Sequence, residues 1–456
     1  MTKVLLFGID GAPPELVFDK WLDVLPNIKK LMASGTYARL NSTIPPSTIV
    51  AWNAMLSGKD SSEIGVFSYT KKDKNGHAQL VSSKDIQCKI MWDILGKQKK
   101  TIALFVPLSY PVKPINGIMV SDFLTPLVNE QCAYPERILE KIEAMEYPDL
   151  FFDVVEGLGG HKGLDIPTLI DRTYKMTDMQ VKLIKDLIVN EQWDFFATVM
   201  IGSDRLQHML WGHFDETHRK FISNSPHKDA LKNYYSYLDS KLGEIMKLVD
   251  DDTVIIVASD HGMIKQEGKI NINNWLIQEG YLVLKKEITE RTKFSIDLVD
   301  TEKTIAYGGG AYNARININK AKAGAHYEKI LTEIAHKLKQ IPDDRGKPID
   351  TKVYMAKDIY KNTSHPECPD LIIYFDDLRW ASNPDLGQDG LYSWKTAVGA
   401  DSAGHSRQGC FIIYGEQVKK LGMVGDLDIQ QVAPTILKLL GVKTPEDIKV
   451  ETIDLV

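Results

Sequence analysis

The sequence predicts an α/β protein: a doubly wound, mostly parallel sheet with helices on both faces and a small α+β insertion. Three observations predict it. Short, wholly apolar runs recur along the chain, and helical patterns separate most of them. The 456 residues, 43% hydrophobic and 25% charged, suffice for one large domain carrying an insertion.

The apolar runs are 4–9, 101–106, 195–201, 253–258, 371–374 and 411–414, each the length of a parallel strand buried on both faces. Helical patterns cover 25–34, 49–56, 173–189, 228–249, 327–340 and 429–440. Asp428 stands where it can cap the last helix, and Gly441 sits at a C-cap position. Between 270 and 366 the texture changes to shorter strand-like pieces (281–285, 312–318, 351–355), one helix and a charged stretch at 342–347. The expected division is a catalytic core of 1–269 and 367–456, with 270–366 as a cap that returns to the main sheet near Pro369-Asp370-Leu371.

Composition excludes several classes. Lys+Arg 55 and Asp+Glu 61 are spread along the chain without a basic block, so charge alone gives no nucleic-acid tracking. Cys88, Cys132, Cys368 and Cys410 are scattered, unlike a zinc ribbon or a disulfide scaffold. The N-terminal apolar run is short for a signal peptide and closes at Asp10, and no stretch is long enough to span a membrane. The expectation is a cytoplasmic protein acting on a small molecule.

Four segments place metal-ligand residue types beside apolar runs. Asp10 follows the first strand, at the edge where open α/β sheets bind ligands. Asp204 and His208, four apart, share one helix face. Ser259-Asp260-His261 follows the run 253–258 directly, and Gly262 permits a sharp turn. His405 precedes the run 411–414. Together they offer three carboxylates and three imidazoles, enough for two divalent ions with open positions. Zinc suits this set, and manganese or iron would also accept it. For a nucleophile, Pro45-Pro46-Ser47-Thr48 leads into a helix ending at Ser57-Gly58, which puts Ser47 or Thr48 at the helix N-terminus. His213, His218 and His227 read as solvent-exposed, because their neighbours are polar.

In the order Gly8-Ile9-Asp10-Gly11, Thr48 to Gly58, Asp204 to His208, Ser259 to Gly262 and Gly404-His405, the chain resembles the type I phosphodiesterase/nucleotide pyrophosphatase family of the alkaline phosphatase superfamily. The stretches 106–111, 120–126 and 369–380 are similar to a group of soluble microbial phosphohydrolases and phosphomutases within it. The resemblance implies an alkaline-phosphatase-like fold. It also selects Thr48, ten residues before Gly58, as the nucleophile that forms a phospho-threonine. It implies one metal held by Asp10, Thr48, Asp260 and His261, and a second held by Asp204, His208 and His405. The expected substrate is a phosphodiester or a nucleotide pyrophosphate.

The chain departs from that pattern at Val50, Ile64 and Tyr69, where the family's nucleotide pyrophosphatases have proline, histidine and a phosphate-binding asparagine. A Tyr69 hydroxyl can substitute as donor. Arg205, beside Asp204, can reach a phosphoryl oxygen and would then favour a monoester. The alternatives within the superfamily are a phosphomonoesterase, a phosphomutase or a phosphonate hydrolase. Outside it, the alternative is a metal-dependent binding protein without catalysis.

Overall fold

The computed structural model describes residues 2–73, 78–154, 163–394 and 402–455. Its centre is a ten-stranded sheet. The order is Gly422–Met423, Thr36–Asn41, Gln408–Tyr414, Thr253–Ala258, Lys3–Ile9, Phe195–Met200, Thr101–Leu104, Gly117–Val120 and Ala133–Tyr134, with Leu427–Asp428 also pairing with Thr36–Asn41.

Lys3–Ile9 pairs in parallel with Phe195–Met200 on one side and Thr253–Ala258 on the other. All three are buried apart from the start of Lys3–Ile9, which is why they are apolar throughout instead of alternating. Gly8 stands level with Val199 and Ala258, so the three strands end together. Asp10, the helix Gly202–Phe214 and Ser259-Asp260-His261 therefore emerge side by side at the carboxyl edge.

The surrounding helices follow the expected pattern closely. Thr48–Ser57 is buried along its whole length and stops at Gly58, whose φ of 69° is left-handed. Pro26–Ser34 is held by the buried Asp239, whose carboxylate accepts from the Asn27 and Ile28 N–H groups. The last helix starts as a 3-10 turn, Ile429–Gln431, where Asp428 and Gln431 cap each other, and continues as Val432–Leu439.

Two strands differ from expectation. Gln408–Tyr414 lies in the main sheet but runs antiparallel to both of its neighbours. Leu371–Tyr374 is not in the main sheet. It belongs to an antiparallel four-stranded sheet in the order Ala306–Gly309, Ala314–Ile318, Leu371–Tyr374, Lys352–Met355. All four of its residues are buried, so it reads like a parallel strand: an apolar run reports cover on both faces, not direction. Among the described residues the 281–285 piece makes one isolated bridge, Leu284 with Val299.

This smaller sheet has its own hydrophobic cluster, including Ile316, Leu331, Ile373, Phe375 and Trp380. A third cluster, with Phe67, Tyr360, Ile372 and Tyr374, joins it to the segment that follows the Thr48 helix. Gly262–Lys265 and Ala403–Ser406 form an antiparallel ladder that sets Met263 opposite His405. Among the described residues no helix is long and apolar enough to cross a membrane.

Gly8 is where the Thr48 helix comes closest to the sheet. A Cβ there would meet Trp52 Cη2 at 2.5 Å and the Thr198 carbonyl oxygen at 2.9 Å. Gly8→Ala is expected to cost about 1–3 kcal/mol of stability, as overpacking does. Denaturant unfolding should show a lower midpoint, and an unchanged midpoint would contradict this packing.

Candidate active site

The strand ends bring Asp10, Thr48, Asp204, His208, Asp260, His261 and His405 into one buried cluster, each no more than 4% exposed. Asp10 and Asp260 are placed by the two parallel strands, and Asp204 and His208 by successive turns of Gly202–Phe214. His261 Nε2 lies 3.1 Å from Asp260 Oδ2 and 3.7 Å from Asp10 Oδ1. Asp204 Oδ1 lies 3.3 Å from His208 Nε2 and 3.5 Å from His405 Nε2. Thr48 is the first residue of its helix, and its Oγ1 is 3.1 Å from His261 Nε2. Ser47 takes the N-cap position and makes no side-chain cap bond.

The imidazoles are all oriented in the same way. His208 Nδ1 faces the Ala403 carbonyl at 2.9 Å, His261 Nδ1 the Gly262 carbonyl at 3.0 Å and His405 Nδ1 the Pro46 carbonyl at 3.0 Å. A carbonyl only accepts, so Nδ1 carries the proton in each ring, and in the neutral ring Nε2 presents a lone pair to the cluster. Burial and then the nearby His405 hold the His261 imidazole well below its ordinary pKa, which keeps it neutral.

The carboxylates show the complementary feature. Asp10 Oδ1, Asp204 Oδ1 and Asp260 Oδ2 are buried without a hydrogen-bond partner. Their other oxygens are occupied: Trp52 Nε1–H donates to Asp10 Oδ2 at 2.8 Å and the Gly11 N–H to Asp260 Oδ1 at 3.2 Å. Burial and then the Asp204 charge push the Asp10 carboxyl well above its usual range, and burial and then Asp10 do the same to Asp260. Lone pairs of both kinds thus converge with nothing positive between them. Oxygen and imidazole donors in this arrangement fit divalent cations. His261 lies within reach of both Asp10 with Asp260 and Asp204 with His405.

Tyr69 is brought to the site. Burial pushes its phenol well above the ordinary value, with the Thr48 hydroxyl beside it pulling the other way. Arg205 is neither a solvated residue nor a free cation. Its Nε and Nη2 donate to Asp153 at 2.9 and 2.8 Å, its Nη1 donates to Asp204 Oδ2 at 3.1 Å, and it lies 4.8 Å from the Phe123 ring centre. His213 and His218 do not face solvent: they are 8% and 4% exposed, and His227 is half-buried. His218 Nδ1 accepts from the Lys220 N–H at 2.9 Å, so its Nε2–H donates to the Ser402 carbonyl at 2.8 Å. Ser402 in turn donates its N–H to the His208 carbonyl at 2.7 Å, which ties His218 to the strand bearing His405.

Three further residues belong to the cluster and carry little sequence signal. Trp52 orients Asp10 from one helical turn beyond Thr48. Ser259 Oγ accepts from the Ala12 N–H at 2.8 Å and donates to the His261 carbonyl at 2.6 Å, which fixes the turn between the two ligand candidates. Tyr312, just after the Gly308-Gly309-Gly310 run, stacks on His405 at 4.6 Å and places its hydroxyl 3.3 Å from His208 Nδ1. Arg205→Met would leave Asp153, 3% exposed, without its cation. The expected cost is about 3–5 kcal/mol in denaturant unfolding. Wild-type stability in that variant would contradict the pairing.

The profile of the family described as type I phosphodiesterase / nucleotide pyrophosphatase matches residues 4–401. Human ectonucleotide pyrophosphatase / phosphodiesterase 5 aligns with a TM-score of 0.56 at 13% identity, over 97% of this chain and 96% of that one. The murine protein, in an inactive form in complex with AMP, aligns with a TM-score of 0.58 at 13% identity, over 98% and 96%. At that identity the likeness is one of fold. No curated protein sequence matches the chain. The profile covers most of the sequence and includes every ligand candidate except His405. The chain therefore belongs to the type I phosphodiesterase/nucleotide pyrophosphatase family of the alkaline phosphatase superfamily, as a phosphoric ester hydrolase.

Proposed function

We propose that the protein cleaves phosphodiester or nucleotide pyrophosphate bonds, with Thr48 as nucleophile. The observation that carries this reading is the position of Thr48 Oγ1, at a helix N-terminus and 3.1 Å from His261 Nε2, within the cluster of unpartnered carboxylate oxygens. Two divalent ions would be held by Asp10, Thr48, Asp260 and His261, and by Asp204, His208 and His405. Zinc suits these donors best, and manganese or iron is compatible. When bound, they supply Lewis-acid stabilisation of the charge on the phosphoryl oxygens and lower the pKa of coordinated hydroxyl groups.

Thr48 Oγ attacks phosphorus opposite the leaving oxygen. The Thr48 hydroxyl gives its proton to solvent, and the Oγ–P bond forms as the bond to the leaving group breaks. The leaving oxygen keeps the electron pair and takes up a proton from solvent. Water then cleaves the phospho-threonine, releasing the phosphoryl product and restoring the hydroxyl. The field at the start of Thr48–Ser57 favours the anion throughout. Tyr69, kept protonated by burial, is a donor for a phosphoryl oxygen. Arg205, committed to Asp153 and Asp204, is poorly placed to clamp the extra oxygen of a monoester, and this favours the diester. The AMP held by the murine relative supports a nucleotide-like substrate.

The test compares hydrolysis of bis-p-nitrophenyl phosphate and p-nitrophenyl phosphate, with zinc or manganese supplied. The diester is expected to be preferred, and Thr48→Ala to lower kcat by at least about 10³-fold. A monoester preference would overturn the substrate assignment. Undiminished turnover in the variant would overturn the nucleophile.

A further inference from the structure

A cavity of about 450 Å³ lies between the hairpin Thr70–Lys72/Ala78–Leu80 and the four-stranded sheet. Among the described residues its wall carries Lys71, Lys72, Lys293 and Arg315 against one carboxylate, Glu367. Three of these charged groups have local partners. Lys71 is paired with Asp85. The Lys72 ammonium donates to the Tyr307 hydroxyl at 3.2 Å, and Glu367 accepts from the Lys72 N–H at 3.0 Å.

Arg315 differs. Its Nε is buried and has no hydrogen-bond partner. Burial depresses its pKa, which Tyr360, Tyr374 and Glu367 only partly offset. Arg315 as a whole is half-buried, so the rest of its guanidinium, a fork of donors that matches phosphate and carboxylate, remains available to an anion in the cavity. The feature it lacks is an anionic partner, and the cavity has room for one.

The cavity adjoins the reaction site along the chain in two places. Ser68 is in its wall, and the next residue, Tyr69, has its phenol beside the Thr48 hydroxyl. Gly310 is in its wall, and Tyr312, two residues on, stacks on His405 and His208. A group leaving phosphorus beside Tyr69 and Tyr312 thus departs next to two chain segments that lead into this basic cavity.

We propose that the cavity binds an anionic group, a phosphate or carboxylate, carried on the leaving group, with Arg315 as its anchor and Lys293 as a second contact. The proposal rests on the phosphodiesterase reading above. It narrows the substrate class to diesters and pyrophosphates whose leaving group has its own negative charge.

The experiment compares kcat/KM for ATP, which would release pyrophosphate, with that for bis-p-nitrophenyl phosphate, whose leaving group carries no second anion. It uses the metal-loaded wild type, Arg315→Gln and Lys293→Gln. Arg315→Gln is expected to lower the value for ATP about tenfold while changing that for the diester less than about twofold. Lys293 is exposed, so its variant tests the cavity without risk to the fold, and a smaller loss confined to ATP is expected. Equal losses on both substrates would assign Arg315 a merely structural role and overturn the proposal, as would no loss on either.

Calorimetric titration of inorganic pyrophosphate into wild type and Arg315→Gln separates this claim from the one it rests on. Weaker binding by the variant is expected, and unchanged binding overturns the anion site. If pyrophosphate binding weakens while the substrate ratio stays constant, the cavity binds a free anion, and the leaving-group assignment falls. If the wild type cleaves neither substrate, the phosphodiesterase reading fails, and the titration alone decides whether the cavity holds an anion.

Discussion

Three carboxylates, Asp10, Asp204 and Asp260, are buried at the end of a parallel sheet, each with one oxygen that no hydrogen bond reaches. Leaving such an oxygen unpaired costs about 1–3 kcal/mol, so three in one place favour a common counter-charge. The surrounding structure makes sense as the means of holding them there. The level ending of Lys3–Ile9 and Thr253–Ala258 sets Asp10 and Asp260 side by side, and the second oxygen of each is held by a fixed donor, the Trp52 indole or the Gly11 N–H.

The imidazoles obey the same constraint from the other direction. Each Nδ1 is bonded to a backbone carbonyl, which turns every Nε2 lone pair toward the carboxylates. Two of those carbonyls come from distant parts of the chain, Pro46 for His405 and Ala403 for His208, so folding the core also sets these rings. His218 extends the support outward through Ser402. Arg205 and Asp153 brace Asp204 from behind. Thr48 enters this frame on a helix buried on all sides, which leaves its hydroxyl little freedom of position.

Much of this was legible in the sequence, for identifiable reasons. Asp10, Asp260 and His261 follow wholly apolar runs at once, and Asp204 and His208 have helical spacing, so local patterns suffice to find them. Strand direction was not legible: Leu371–Tyr374 and Gln408–Tyr414 are covered on both faces and look the same whichever way they run. His213 and His218 sit among polar residues that are exposed while the imidazoles themselves turn inward. Tyr312 reaches His208 and His405 from the smaller sheet, a contact that only the tertiary arrangement creates. The buried, unpartnered Nε of Arg315 was likewise invisible, because an arginine in an alternating strand normally reaches solvent.

Cations in the space between the orphaned oxygens and the imidazoles would satisfy both, and metal content measures that directly. Elemental analysis of wild type and Asp260→Asn, purified alike and dialysed against metal-free buffer, should find about two divalent ions per wild-type chain and about one in the variant. Wild-type protein that holds no metal after saturation with zinc or manganese, or a variant that keeps the full complement, would contradict the account.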